Sequence, residues 1–367
     1  MPRLTDLARS LPATVPFTGP ETLERRAGRP FAARLGANES GFGPSPRAVA
    51  AMARAAEEAW MYGDPEVHDL CHALARHHGV PPEAIVAGEG IDGLLGYLVR
   101  LLTAPGTAVV TSAGAYPTFA YHVAGFGGAL HAVPYRGDRE DPEALAAKAH
   151  EVGATLCYLA NPDNPMGSWH DAAAVMALAD ALPEGCLLCL DEAYADLAPD
   201  GAVPPLDAGD ARLIRMRTFS KAHGLAGLRV GYAIGHPELI SAFGKVRNHF
   251  GLGRVAQAGA LAALEDGAWH AEVRARVAAS REAIAAIARA NGLTPLPSAT
   301  NFVAVDCGAD GAIARAVLDG LAAEGVFARM PGVAPLDRCI RVSCGPEAEM
   351  EVLGAAFPRA LARARGA

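Results

Sequence analysis

No stretch of this 367-residue chain is apolar for long enough to cross a bilayer, and the opening MPRLTDLARSLPATVPFTGP lacks the continuous apolar centre of a signal peptide. The expected setting is therefore the cytoplasm, with no membrane partner. Dense Lys/Arg blocks are also missing: 32 basic against 40 acidic residues leave a net charge of −8, which argues against a nucleic-acid partner. The seven cysteines show no paired metal-ligand spacing, so neither a disulfide framework nor a metal site is expected. Cys186 and Cys189 form a C-x-x-C, but they lie in CLLCLD, which reads as a buried parallel strand using Cys as a small apolar residue. No internal repeat or low-complexity linker is present.

What the chain does have is a large apolar fraction, 51%, with 20% charged residues, enough for a substantial core. At this length one core usually stops growing, so two domains, or one large domain with an added lobe, are expected. Between about residues 45 and 235, helix-length segments alternate with short apolar runs: AVVTS (108–112), TLCYLAN (155–161), LLCLDEAY (187–194), RLIRMRT (212–218) and VGYAIG (230–235). That alternation predicts an α/β fold with a mainly parallel sheet covered by helices. An Ala-rich helical stretch then runs to Gly292, and NFVAVDC, VFARM and CIRVSC suggest a smaller α+β lobe. The expected organisation is an N-terminal arm and part of the small domain over 1–38, a large domain over 39–255 and a small domain over 256–367.

The richest segment is TFSKAHGLAGLRVGY (218–232), at the end of a predicted strand. The amine of Lys221 can condense with an aldehyde, while Thr218, Ser220 and Arg229 can hold a phosphate. Asp191 follows the apolar run CLLCL, at the carboxyl end of a strand, where open α/β sheets place their ligands. A carboxylate there can keep a pyridine nitrogen protonated. Tyr194 and Asn164, the latter in NPDNPMG (161–167), can bond a ring oxygen. GEGIDGLLGYL (88–98) opens a helix with a glycine turn, so that backbone N–H groups near Gly90, Ile91 and Asp92 form a phosphate site. The glycine spacing is not that of a dinucleotide fingerprint. Phe119, in AYPTFAYH, can lie flat on an aromatic ring or serve as a core aromatic.

Taken in order, N-P-x-N-P-x-G, DEAY and the Lys221 loop resemble the fold-type-I pyridoxal-phosphate aminotransferases of class I/II, and most closely the histidinol-phosphate aminotransferases. ANESGFGPSP (37–46), MYGDP (61–65) and CIRVSCG (339–345) extend the resemblance across nearly the whole chain. It implies that pyridoxal 5'-phosphate is the cofactor and that Lys221 is the Schiff-base lysine and proton shuttle. Asp191 would then pair with the pyridinium, Asn164 and Tyr194 would bond the 3-oxygen, and Phe119 would stack on the ring. The phosphate falls to Thr218, Ser220, Arg229 and the Gly90–Asp92 turn. By the same resemblance Tyr62 would reach the phosphate of a neighbouring subunit, implying a homodimer with shared sites. Arg341 would bind the substrate carboxylate, with Arg329 and Asn38 as further expected substrate contacts.

The implied reaction moves an amino group from an L-amino acid or an amino-alcohol phosphate to a 2-oxo acid, 2-oxoglutarate being the expected acceptor, in amino-acid biosynthesis. A decarboxylase or lyase of the same fold is the alternative, because the ring stabilises any carbanion and the site decides which bond breaks. A gripped carboxylate at Arg341 favours transfer. A ligand-sensing regulator of this fold would need an added DNA-binding domain. Departures from the family pattern include Ile91 and Gly93 in the phosphate turn, Ser40 and Gly41 in the opening motif, Gly63 in MYGDP, and Arg254 in RNHFGLGRVAQ (247–257).

Overall fold

The computed structural model describes residues 2–12, 18–308 and 310–366. Its centre is a seven-stranded sheet whose order, by residue range, is Ile85–Gly88, Gly231–Ile234, Leu213–Thr218, Leu187–Asp191, Leu156–Ala160, Ala108–Ser112 and Ala129–Val133. The five strands from Leu213–Thr218 to Ala129–Val133 pair in parallel. VGYAIG departs from the expected series: Gly231–Ile234 runs antiparallel between Leu213–Thr218 and Ile85–Gly88. Ile85–Gly88 and Ala129–Val133 carry no strong signal of their own in the sequence. The first is only four residues long, and the second alternates partly exposed and exposed positions at the sheet edge.

The sheet is covered on both faces, and the strand period of two sorts its side chains between them. Leu156, Tyr158 and Ala160 join one apolar cluster with Leu94, Leu98, Val99 and Phe119, whereas Cys157 and Leu159 join another with Leu145, Val175 and Leu178. All seven cysteines are buried, unpaired thiols, Cys186 and Cys189 included. Covering helices are locally specified. Pro142–Val152 is capped by Asp141, which accepts from Ala144 N, and it stops at Gly153 in the left-handed conformation.

The Ala-rich stretch after residue 253 is two helices, Arg254–Leu264 and Gly267–Ala290, parted at Glu265 and Asp266. Asp266 caps the second by accepting from Trp269 N while its other oxygen accepts from Ser45 Oγ at 2.5 Å. The first helix packs into the cluster holding Phe219, Leu225 and Tyr232; the second sends Val273, Val277 and Ile284 into the core of the C-terminal lobe. That lobe carries a three-stranded antiparallel sheet of Thr294–Pro295, Phe302–Asp306 and Cys339–Ser343. Ala33–Arg34 pairs with Val326–Phe327, tying the N-terminal segment to the lobe. The segment before Phe31, read as an arm of little periodicity, contains the helices Asp6–Ser10 and Pro20–Ala27. Glu24 anchors the second of them by accepting from Arg34 Nη2 at 2.7 Å.

Candidate active site

A cavity of about 360 Å³ opens at the carboxyl ends of the parallel strands. Its walls include Ile91, Asp92, Asn164, Asp191, Tyr194, Thr218, Ser220, Lys221 and Arg229, brought together from four separate chain segments. At one end the helix Gly90–Leu102 begins beside the Lys221 loop. Gly90 has φ +73°, and a Cβ there would lie 2.6 Å from Arg229 Nη2; a Cβ on Gly231 would lie 2.8 Å from Ile91 N. Only bare backbone lets the helix start, the strand and the guanidinium converge this closely. Ser220 N donates to Thr218 Oγ1 and Thr218 Oγ1 to Ser220 Oγ, each at 3.0 Å, and Arg229 Nη1 reaches Ser220 Oγ at 3.4 Å. Two hydroxyls, a guanidinium and a helix N-terminus thus share one end of the cavity, a set suited to phosphate.

At the base lies Asp191. Its Oδ1 accepts from Ala193 N at 3.0 Å and its Oδ2 from Tyr158 OH at 2.6 Å. Burial pushes this carboxyl up to about 6, against the opposing pull of the Tyr158 hydroxyl. Lys221 Nζ donates to Asn38 O at 3.0 Å. Burial, assisted by the charge of Arg341, brings the lysine down to about 8, so that a far larger share of it than of an ordinary lysine is the free amine near neutral pH. The chain has only two other lysines, Lys148 and Lys245. Lys148 is engaged with Glu151 at the surface.

Phe119 is not among the residues lining the cavity. It is buried and stacks on Tyr158, with ring centroids 4.6 Å apart and planes at 20°. Of the two aromatics at this helix start, the one that lines the cavity is Tyr116, three residues earlier, whose hydroxyl donates to Asp92 Oδ1 at 2.9 Å. The reason is phase: Pro117–Gly125 is a helix, and its start sends Phe119 into the core while Tyr116, at the cap, faces the opening. Tyr158 was missed altogether, because TLCYLAN reads as an ordinary apolar strand and nothing in it flags the hydroxyl's target.

A second cavity, of about 540 Å³, adjoins the first and shares Asp92, Tyr116, Asn164 and Lys221 with it. Arg329 and Arg341 line it, their backbones paired in an antiparallel bridge. The Arg341 guanidinium donates to Asn164 Oδ1 and, at 3.3 Å, to Gly36 O, and it sits 5.2 Å over the Phe302 ring. Among the described residues its Nε is buried with no hydrogen-bond partner, and burial lowers the group to about 10. Arg329 donates to Thr18 O at 2.8 Å. Asn38 borders this cavity, but its side chain is committed elsewhere: Nδ2 donates to Tyr194 OH and Oδ1 accepts from Ser343 Oγ, both at 3.0 Å. Its φ of +55° and its carbonyl, which accepts from Lys221, give it a scaffolding place instead of a free amide facing substrate.

Tyr62 lies outside both cavities of its own chain. It is exposed and packs against Phe250, centroids 4.7 Å apart. Arg254 opens its helix nearby, pairing with Glu58 at 3.4 Å and donating to Tyr62 O at 3.2 Å. Gly63 is fitted to this corner, since a Cβ there would come within 2.5 Å of Leu252 O.

These residues fit pyridoxal phosphate: an anion cradle at one end, a buried carboxylate at the other, and a lysine of lowered basicity between them. A profile described as "Aminotransferase class I and II" matches residues 33–357. The chain is 36% identical to a histidinol-phosphate aminotransferase of Roseiflexus castenholzii, over 95% of each chain. It is also 36% identical to an aromatic amino acid aminotransferase of Mycolicibacterium paratuberculosis, over 86% of this chain and 92% of that one. The crystal structure of the Sinorhizobium meliloti histidinol-phosphate aminotransferase, in complex with pyridoxal-5'-phosphate, superposes with a TM-score of 0.96 at 56% identity, covering 99% of this chain and 98% of that one. On site and sequence together, the chain belongs to the class I and II aminotransferases.

Proposed function

We propose that this aminotransferase takes its nitrogen from an amino-alcohol phosphate of the histidinol-phosphate type and delivers it to a dicarboxylic 2-oxo acid, 2-oxoglutarate. The observation that carries this reading is the pair of guanidiniums, Arg329 and Arg341, lining the cavity into which Lys221 opens. Two cations serve an anionic donor in one half-reaction and both carboxylates of the acceptor in the other. The names of the Roseiflexus and Sinorhizobium relatives support the donor class.

Pyridoxal phosphate, when bound, supplies an aldehyde for the donor's amine and a ring that accepts electron density from the bond being broken. Lys221 is the residue we assign to hold that aldehyde and to move the proton at the reacting carbon, because its lowered basicity suits both acceptance and return. Asp191 is assigned to the ring nitrogen, Asn164 and Tyr194 to the 3-oxygen, and Tyr116, in place of Phe119, to the ring face. Thr218, Ser220, Arg229 and the N–H groups of Gly90, Ile91 and Asp92 are assigned to the phosphate. In the second half-reaction Arg341 pins the α-carboxylate of the 2-oxo acid, which keeps it from leaving and favours transfer over decarboxylation. We further propose a homodimer in which Tyr62 serves the neighbouring subunit. Trp60, Tyr62 and Phe250, all exposed aromatics in one region, support such a contact. The buried free thiols agree with a reducing cytoplasmic setting.

The test is a donor panel with 2-oxoglutarate, following glutamate formation. Histidinol phosphate should give the highest kcat/KM, and Arg329→Met should lower it by roughly 10- to 100-fold while leaving neutral aromatic donors within a few-fold. Equal turnover of neutral donors by the parent enzyme, or release of CO₂ in place of glutamate, would overturn the proposal.

A further inference from the structure

Away from the cavities, three side chains from distant parts of the chain meet around one carboxylate. Asp196 stands in the short turn Ala195–Leu197 that follows Tyr194, His223 in the loop just after Lys221, and His270 in the first turn of Gly267–Ala290. Asp196 Oδ2 lies 3.9 Å from His223 Nε2 and 3.7 Å from His270 Nε2, and the two imidazoles stack at 4.6 Å with planes at 28°. Neither nitrogen is close enough for a hydrogen bond to the carboxylate, and among the described residues His270 Nε2 is buried with no hydrogen-bond partner. Two ring nitrogens of the same type thus converge on one oxygen without bonding it, and all three atoms lie within 4.8 Å of one another.

Ligand atoms around a tetrahedral ion with bonds of ~2.0–2.1 Å stand about 3.4 Å apart, so a contraction of a few tenths of an ångström would bring these two pairs to coordinating separation. We propose that Asp196, His223 and His270 bind one divalent first-row transition ion, zinc in the first place, with water completing its coordination. The charge state suits a ligand set. Burial favours the neutral imidazole of His223, the form that ligates. Arg217, a fixed cation that favours the ionised Asp196 carboxylate against burial, is itself engaged by Glu192 at 2.8 Å. The Asp196 side chain is 32% exposed, which leaves a way in for the ion.

The three ligands sit on elements with different tasks. One continues from Asp191 and Tyr194, one carries Lys221, and the third is the helix that buries Val273 and Val277 in the C-terminal lobe. An ion there ties the lobe to the floor of the active site. Its first effect is on stability, because the ion adds a cross-link that the unfolded chain lacks.

The experiment uses the full-length enzyme with its cofactor attached and no amino substrate, stripped with EDTA and dialysed. Zinc titrated by calorimetry should bind at one ion per chain and raise Tm by about 4 °C at a hundredfold excess over Kd. Cobalt should give visible d–d absorption of low-symmetry N/O coordination. His270→Ala and Asp196→Asn should each weaken binding at least a hundredfold and abolish the Tm rise. His270 lies in the first turn of its helix with a partly exposed side chain, so its variant keeps the test sound if His223→Ala folds poorly. The stacked His68 and His72, centroids 3.9 Å apart, are the competing place for an ion, and His72→Ala should change nothing. Absence of stoichiometric binding, binding that survives both His270→Ala and Asp196→Asn, or binding lost in His72→Ala would each overturn the proposal.

Discussion

Asp191 and Glu192 are neighbours at the end of one strand, both buried, and opposite in electrostatic fate. Glu192 points to one side of the sheet end, where Arg215 Nε donates to it at 2.9 Å and Arg217 Nε at 2.8 Å. Burial alone would push this carboxyl up, but Arg217 and Arg215 outweigh it and hold the group below its usual value. Arg215 is completed by the carbonyls of Pro204 and Pro205. On the other side Asp191 has only a phenol and a backbone N–H, with no guanidinium on it, and its pKa climbs to about 6. The closed cluster spends its charge on the fold. Among the described residues the open carboxylate has no cation bonded to it, and it lines the cavity in which we assign it to a ring nitrogen.

The sharpest way to break this contrast is to remove each charge in turn. Asp191→Asn should fold with near-parental stability and lose roughly 10²- to 10³-fold in single-turnover rate with a fixed amino donor, since an amide cannot stabilise a cationic ring nitrogen. A rate within a few-fold of the parent would make Asp191 structural. Glu192→Gln should do the reverse: it leaves two buried guanidiniums short of a counter-charge and should cost about 3 kcal/mol in denaturant unfolding, with kcat of the folded fraction little changed. If Glu192→Gln were as stable as the parent but catalytically dead, the division of labour between the two carboxylates would be wrong.

Much of this was legible in the chain. Lys221, Thr218, Ser220 and Arg229 share one loop, and Asp191 and Asn164 each follow an apolar run that ends where a parallel sheet presents its ligands, so strand periodicity alone brought them together. Choices that depend on phase or on distant partners were not legible. Tyr116 and Phe119 are both aromatics at one helix start, and only the helix's rotation decides which faces the cavity. Gly231–Ile234 looks like another strand of a series until its pairing shows it to be antiparallel. Asn38 borders the second cavity, yet its amide is taken up by Tyr194 and Ser343, contacts that no local pattern announces. The Asp196, His223 and His270 group has no motif spacing, because the fold and not the sequence makes it a cluster.

The smallest expected effect tests how Asp191 is held. Tyr158 is fully buried in the strand beside it, and its hydroxyl makes the 2.6 Å bond to Asp191 Oδ2, while Phe119 stacks on its ring from the core side. That hydrogen bond favours the ionised carboxylate and is the chief influence opposing burial. Tyr158→Phe keeps the ring, the stacking on Phe119 and the packing, and removes only the hydroxyl. The sign follows directly: without that donor the Asp191 carboxyl rises further above 6, so the charged form is lost at a higher pH as the solution is acidified. The acid limb of the kcat/KM profile should move upward, and the rate at pH 6 should fall by about 10-fold, as expected for one hydrogen bond to a charged group. At pH 8, where the carboxylate is ionised in both enzymes, the difference should shrink to a few-fold. Phe119→Leu should shift the same limb in the same direction by less, because it loosens the ring that aims the hydroxyl without deleting it. A uniform loss at every pH in Tyr158→Phe would show instead that the hydroxyl matters for packing alone, and that Asp191 is tuned by burial without help.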